Sequence, residues 1–506
     1  MIIEINLHNA FKSNFLTKKM ILKKQEISKI KEKKILFICI PPTLDVFKES
    51  KVSIVMPVIP LISIAQLSAV SREAGYNPHV LDLLVRKENS VKKRIIESIK
   101  KINPDIVGLT FTTPLSKEAS KIALFIKKLN PHIKIIAGGP HTTIMPIETL
   151  KSGNFDLVVI GEGEITLKEI LEGKELAKIK GIAYKKGSEI AVNKPRELIK
   201  DLDKLPFPDY SIFNIKDYHA PRINCRKNPV IAIETSRGCI YGCVYCNKAV
   251  FGKTFRVKSP KRTVDEMEYL LKFGYKEIHI WDDGFSTDIK RAKEICREIL
   301  KRKLKLVWNI YNGLRVDRID RELLVLLKKS GCYRISIGVE SGNQEILDRI
   351  KKGTKLKDIK KVFLLANEIG METVAFCMIG LPGETEETMK DTINLIREIK
   401  PSFPKLSILM PLPGTPIFEE WDKSGNIISK DWPNYVFHMP GKIYNHPTLD
   451  WKTINKYYAL FYRRTMLNPE FLLRRFIRDI KTGELLIDAY YLLKTFYLFF
   501  LPQSSN

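Results

Sequence analysis

Twice along this chain, short apolar runs of strand length alternate with stretches whose apolar residues recur at helical spacing. A repeat of strand, helix, strand has few solutions. Its strands lie parallel, and its helices cover the faces of the sheet they form. The first series opens at residues 33–42, KKILFICIPP, a buried strand closed by a Pro pair. The spacing then predicts a helix over 61–74 stopped by Gly75, a strand at PHVLDLL (78–84), a helix over 86–101, a strand over 105–110 and a helix over 117–129. Strands follow at 133–137 and 157–160. Residues 34–172 therefore read as an α/β, doubly wound parallel sheet.

The second series starts at residue 229. Its strands are IAIETS (231–236), EIHIWDD (277–283), LVWNIYN (306–312), YRISIGVE (333–340), TVAFCMIG (373–380) and KLSILMPLP (405–413), with helices between them, for example over 290–303 and 384–399. Six such units predict a partial (β/α)6 barrel over residues 229–415, and such barrels carry their chemistry at the C-terminal ends of the strands. Residues 173–228 read as a connector, with a hairpin turning at Lys186-Gly187 and an extended LPFPDY. Residues 1–33 form a basic N-terminal extension, and 416–506 a mostly helical C-terminal region.

At 506 residues the chain exceeds what one core usually supports. Its 85 Lys and Arg against 57 Asp and Glu leave a net charge of +28. An anionic partner, an anionic substrate or cofactor, and a plain compositional habit all fit that balance. No basic motif interleaved with aromatics marks a nucleic-acid-binding module, so no nucleic acid is expected. Residues 1–34 lack the uninterrupted apolar stretch of a secretory signal. Residues 485–501, LLIDAYYLLKTFYLFFL, are apolar but short for a membrane span and broken by Asp488 and Lys494. An interfacial helix and a helix docked on its own protein are both open. The expected compartment is the cytoplasm, with peripheral contact at the inner membrane surface as the corollary of the first choice.

Eight cysteines are too sparse for a disulfide framework. Three are clustered, as Cys239-Ile-Tyr-Gly-Cys243-Val-Tyr-Cys246, directly after the first barrel strand. Soft thiolates favour iron–sulfur clusters, zinc or Cu(I). Structural zinc takes a fourth Cys or His at paired spacing, and none follows here. His279 lies on a strand and reads as a packed core residue. Three ligands on a four-iron cluster leave one iron open. Cys296, Cys332 and Cys377 fall in helix or strand patterns and read as core, while Cys225, in the connector, carries no assignment.

Cys-x3-Cys-x2-Cys after a first barrel strand resembles the radical S-adenosylmethionine (SAM) superfamily, and the likeness extends over the whole barrel block. It implies a [4Fe–4S] cluster on Cys239, Cys243 and Cys246, with SAM chelated at the open iron. It also implies that Tyr245 packs near the adenine, and that Asp282 and Asp283, where the family more often has Gly-Gly-Glu, receive the SAM amine. Glu340 and Ser341 would meet the ribose. Gly380 and Gly383 would let backbone approach the adenine. Arg315 has two readings, a partner of the SAM carboxylate or a structural salt bridge.

The first block resembles the cobalamin-binding, Rossmann-like arm of cobalamin-dependent radical SAM enzymes, the group of the anaerobic magnesium-protoporphyrin ester cyclase and of radical C-methyltransferases. The matching positions are Thr110 and Thr112 after the third strand, Gly138, Gly139 and His141 after the fourth, and Gly161, Glu162, Gly163 and Glu164 after the fifth. No Asp-x-His-x-x-Gly follows the first strand, and residues 43–60 contain no His, so no protein His is expected on the cobalt lower face. His141 reads as a tail or pocket residue.

The resemblance implies reductive SAM cleavage, fed by an electron donor such as ferredoxin or flavodoxin, and methylation of an unactivated carbon on a small-molecule or lipid-like substrate. Oxidative cyclisation or carbon–carbon bond formation without methyl transfer is the alternative. A non-catalytic corrinoid-binding protein is the third reading.

Overall fold

The computed structural model describes residues 33–40, 57–85, 89–152, 154–436, 443–487, 489–490 and 493. Most of the basic extension, much of the loop after the first strand, and most of the apolar C-terminal segment lie outside the described residues.

The first sheet comprises β1 (Lys34–Cys39), β2 (Asn77–Asp82), β3 (Ile106–Thr110), β4 (Lys134–Gly138), β5 (Leu157–Val159), β6 (Ile182–Lys186) and β7 (Glu189–Val192), in spatial order β2-β1-β3-β4-β5-β6-β7. β1 to β5 are parallel, and β6 and β7 add antiparallel. The order reverses between β1 and β3, which makes their C-terminal ends the natural ligand crevice. The hairpin read from sequence as part of the connector is thus continuous with this sheet. It pairs Val159 with Ile182 and covers an edge that β5 would otherwise leave bare. Two apolar layers sandwich the sheet. Ile35, Phe37 and Cys39 face one, while Leu36, Ile38 and Ile40 face the other.

The second sheet is wholly parallel: β8 (Val230–Ile233), β11 (Glu277–Ile280), β12 (Trp308–Leu314), β13 (Cys332–Glu340), β14 (Glu372–Ile379) and β15 (Phe403–Ile408), in order β15-β14-β13-β12-β11-β8. A short antiparallel pair, β9 (Ser236–Arg237) and β10 (Arg256–Val257), stands outside it. Two strand readings are corrected. IAIETS is not one strand: the chain leaves the sheet after Ile233, and Ser236 pairs with β10. The last strand starts at Phe403 and ends at Ile408, before Pro411 and Pro413, whose missing N–H groups cannot continue a ladder. Helix starts follow their caps. Ser90 accepts from the Lys93 N–H and starts Val91–Ile102, and Thr385 caps Glu386–Ile399.

The connector ties the two sheets together. Asp209 accepts from Ser68 Oγ and Arg72 Nε on the helix Ile62–Glu73 of the first unit, at 3.0 and 2.6 Å. The next residue, Tyr210, is fully buried and donates its hydroxyl to the Ala232 carbonyl on β8 at 3.0 Å. Tyr218 donates to Asp82 at the end of β2 at 2.7 Å. Tyr210→Phe removes the Ala232 partner in a dry place. It should cost about 1–2 kcal/mol, read as a lower urea midpoint with the far-UV spectrum unchanged.

Candidate active site

β9 and β10 pair at the base of the segment that carries the three cysteines, with Arg237 opposite Arg256. Gly238, at φ +82°, follows at the crossing point, where any Cβ would collide with the Thr254 carbonyl. Beyond it the loop is fastened to the C-terminal ends of distant strands. Val244 N–H donates to the Ile350 carbonyl after β13 at 3.2 Å, and Ile417 N–H to the Val244 carbonyl at 3.2 Å. Asn247 Nδ2 donates to the Pro413 carbonyl after β15 at 2.8 Å. Cys239 and Cys243 are half-buried and Cys246 is exposed.

The donor set fits a cluster. Desolvation pushes the Cys246 thiol up to about 11, Lys248 opposes that, and the charges of Cys243, Cys239 and Asp283 add to it. Three soft thiols carried on one eight-residue stretch suit a cationic group that strips their protons. Among the described residues, no three Cys, His, Asp or Glu side chains converge at the spacing of a single bound ion.

The other sequence-derived positions separate into groups that face the loop and groups that brace it. Asp282 is buried and braces. It accepts from the Thr235 N–H at 2.6 Å, the Thr235 hydroxyl at 2.5 Å and the Ser236 hydroxyl at 2.6 Å. Asp283 keeps accessible surface beside the cysteines. Desolvation and the charge of Asp282 raise its carboxyl, while the Gly238 N–H and Lys248 pull it down.

Glu340 ends β13 at φ +64°, a conformation rare for a residue with a side chain. Its Oε1 pairs with Lys352 Nζ at 2.7 Å, and the Tyr245 hydroxyl also bonds this carboxylate. Burial, then the charge of Glu340, hold that phenol well above its ordinary range. Gly338 makes room for the pair, since a Cβ there would lie 2.6 Å from Lys352 Nζ and 2.7 Å from Glu340 Oε1. Ser341 is fully buried and turns to Thr392 at 3.4 Å and the Asn343 N–H at 3.2 Å. Arg315 lies 3.4 Å over the ring of Tyr241, inside the cysteine motif, and donates to the carbonyls of Lys352 and Gly353 and to Asp317. Of its two readings, the structural one describes these contacts. Gly380 and Gly383 follow β14 with left-handed backbone. Glu384 beside them accepts from the Leu381 N–H at 3.0 Å, and burial pushes its carboxyl up to about 8.

In the first unit, Thr110 and Gly138 end β3 and β4 as neighbours in register. Gly139, at φ +108°, is so tightly packed that a Cβ would lie 2.8 Å from Thr110 Oγ1. Thr112 is exposed just beyond. His141 is buried between Phe111, at 5.9 Å, and Trp432 of the C-terminal region, at 6.0 Å, with Nδ1 3.3 Å from Thr113 Oγ1. Burial lowers it to about 4, so it is neutral at ordinary pH.

Gly161 and Gly163 flank Glu162, and Glu162 and Glu164 both reach the cysteine loop. Arg237 donates to Glu162 Oε1 at 2.8 Å, to Glu164 at 2.6 Å and to Glu234 at 2.6 Å. Arg256 donates to Glu162 at 2.9 Å, and the Ile199 N–H to its other oxygen at 2.8 Å. The three carboxylates hold the Arg237 guanidinium well above its ordinary range against the effect of burial. Sequence reading missed Arg237, Arg256 and Glu234. The one available signal was an Arg immediately before the Gly-Cys pair, three residues after Glu234, where the apolar run 230–233 ends.

Comparison with known proteins agrees with the fold. Residues 233–396 match the radical SAM superfamily and residues 55–171 match the B12 binding domain. An uncharacterised methyltransferase of Pyrococcus horikoshii is 30% identical over 89% of this chain and 98% of its own length. The anaerobic magnesium-protoporphyrin IX monomethyl ester cyclase of Rubrivivax gelatinosus is 30% identical over 84% of this chain and 77% of its own. The fold is similar to that of the radical SAM methyltransferase TsrM from Kitasatospora setae, with cobalamin and a [4Fe–4S] cluster bound (TM-score 0.69, 20% identity, 85% of this chain and 91% of that one). The chain belongs to the radical SAM superfamily, in the group that carries a B12-binding domain ahead of the barrel. It is an enzyme of the cobalamin-dependent radical SAM class, and its cofactors are a [4Fe–4S] cluster, SAM and cobalamin.

Arg237→Met leaves Glu162, Glu164 and Glu234 without their shared cation. It should cost about 3–5 kcal/mol and loosen the cysteine loop. The expected outcome is a lower melting temperature together with less iron retained per chain after anaerobic reconstitution.

Proposed function

We propose that this enzyme methylates an unactivated carbon of a small-molecule or lipid-like substrate. The observation that carries the reading is the ion network of Arg237: the Gly-Glu-Gly-Glu loop of the B12-binding unit is joined directly to the base of the cysteine loop. A methyl carrier and a SAM-splitting centre held this way serve one chamber, which is what methyl transfer to a carbon requires. When bound, the cluster supplies the electron that splits SAM, and cobalamin carries the methyl group.

The residues divide the work as follows. Cys239, Cys243 and Cys246 hold the cluster. Asp283, exposed beside them, receives the SAM ammonium, and Asp282 keeps its strand end in place. Tyr245 packs over the nucleoside, with its hydroxyl fixed by Glu340. The backbone of Gly380 and Gly383 meets the adenine. Arg315 holds Tyr241, and through it the cysteine loop, against the end of β12. Thr110, Thr112, Gly138, Gly139, Gly161 and Gly163 shape the corrinoid crevice, with His141 as a neutral packing residue at its rim. The expected absence of a lower-face His concerns residues 43–60, most of which lie outside the described residues.

The similarity to the ester cyclase favours a second reading, oxidative ring closure without methyl transfer. Product mass separates the two: one methyl gained, or hydrogens lost. Reconstituted with iron, sulfide and hydroxocobalamin, then reduced with SAM, the enzyme should form 5′-deoxyadenosine, and Cys243→Ala should form none. Intact SAM in the wild-type reaction would remove both readings and leave a corrinoid-binding protein.

The net charge of +28 suits an acidic electron donor of the ferredoxin or flavodoxin kind. It also suits anionic lipid. The helix Pro469–Thr482 exposes Leu473, Phe476, Ile477 and Ile480 at helical spacing, just ahead of the apolar residues 485–501. None of the helices among the described residues is long and apolar enough to cross a membrane. The face suits shallow contact at a bilayer surface. Co-sedimentation with phosphatidylglycerol vesicles should fall when residues 485–506 are removed and fall further in Leu473→Ser with Phe476→Ser. Binding that neither change affects would sink the membrane reading.

A further inference from the structure

Lys405 lies on β15, and its ammonium nitrogen stands 5.7 Å from the ring of Tyr311 on β12. Two strands separate β15 from β12 in the sheet order. In a flat sheet, three strand spacings amount to about 14 Å. The contact therefore exists only because the sheet curls, and both residues face its concave interior.

The same nitrogen is 5.8 Å from the ring of Phe376. Tyr311 also stacks on His279 at 5.5 Å and packs against Trp281 at 5.4 Å. These residues form one continuous wall of the barrel lumen. Its level is set by register: Gly338 pairs with Phe376, and Phe376 with Lys405. Lys405 thus lies two residues below Glu340, roughly 7 Å deeper along the strands, beneath the cysteine loop.

Several polar atoms of the wall lack partners among the described residues. No carboxylate pairs with Lys405 among the described residues. The indole N–H of Trp281, Nδ1 of His279 and Oδ1 of Asn309 are buried with nothing to bond. His279 Nε2 is held by Glu277 at 2.8 Å, so Nδ1 keeps its lone pair free. Buried polar groups without partners are rare in a finished core, and each calls for an explanation. Lys405 itself retains accessible surface, yet desolvation, with the charge of Arg334 adding to it, lowers its ammonium to about 8. Enclosed and still wetted describes a side chain that faces an internal chamber.

We propose that this lumen wall is a substrate subsite, in which Lys405 and the Trp281 N–H bind an oxyanion, a carboxylate or phosphate, of a substrate whose apolar body lies against Tyr311 and Phe376. The inference rests on the functional reading above, with the barrel lumen taken as the chamber that the two centres serve. A cation flanked by two aromatic rings on a concave wall is an anion anchor, because a charge-assisted hydrogen bond is stronger than a neutral one. Anchored there, the body of the substrate extends upward to the cysteine loop, and a carbon several bonds from the oxyanion is the one presented for reaction.

The test uses the full reconstituted chain and two probes of one shape, 2-naphthoate and neutral 2-naphthamide, titrated calorimetrically. Wild type should bind the naphthoate at least about ten-fold tighter than the amide, the ratio that a charged hydrogen bond supplies. Lys405→Met should bring that ratio close to one, and Lys405→Arg should keep it. Melting curves of both variants confirm that they fold. Equal affinity of wild type for the two probes, or a ratio that survives in Lys405→Met, overturns the subsite. Failure of wild type to cleave SAM, measured separately, would instead overturn the functional reading, with the binding ratio still decisive for Lys405.

Discussion

The architecture depends on one buried cation. Arg237 sits where the first barrel strand gives way to the cysteine loop, and it is surrounded by Glu162 and Glu164 from the other unit and by Glu234 from its own. An isolated guanidinium in that position would be strongly disfavoured, and so would three isolated carboxylates. Together they are stable in only one relative placement of the two units. The network adds little net stability over an apolar contact of the same size, but it permits few alternatives. That is its value at the junction of a B12-binding unit and a radical SAM barrel.

Below that junction the structure separates bracing from chemistry among residues that look alike in sequence. Asp282 and Asp283 are adjacent, yet one takes three short hydrogen bonds from Thr235 and Ser236 while the other is left beside the thiols. Glu340 and Ser341 divide in the same way. The carboxylate is aimed at Tyr245 and Lys352 by a left-handed turn, and the hydroxyl is directed into the helix behind it. Alternation along a strand places neighbours on opposite faces, and at strand ends this rule assigns one residue to the site and the next to the scaffold.

The barrel and the doubly wound sheet were legible in the sequence because each strand is a short apolar run and each helix an amphipathic one. The cysteines were legible because their spacing is local. What the sequence did not show lies where the determinants are not local. The hairpin of β6 and β7 reads as a free turn, and only the bare edge of β5 makes it part of a sheet. Gly161 to Glu164 reads as a ligand loop, and its carboxylates turn out to bond arginines more than seventy residues away. Lys405 had no sequence signal at all. A lysine in a strand looks like a solvated residue until the curl of the sheet brings Tyr311 across to it.

The order of the chain gives the Arg237 junction a consequence for biogenesis. The B12-binding unit leaves the ribosome first, before residue 237 is made. Until the barrel arrives, Glu162 and Glu164 lack the guanidinium groups of Arg237 and Arg256. Docking of the barrel's first strand brings Arg237 to those two carboxylates, two residues before the first of the three cysteines. The base of the cysteine loop is thus held by carboxylates made some seventy residues earlier in the chain, and its shape depends on the two halves having met.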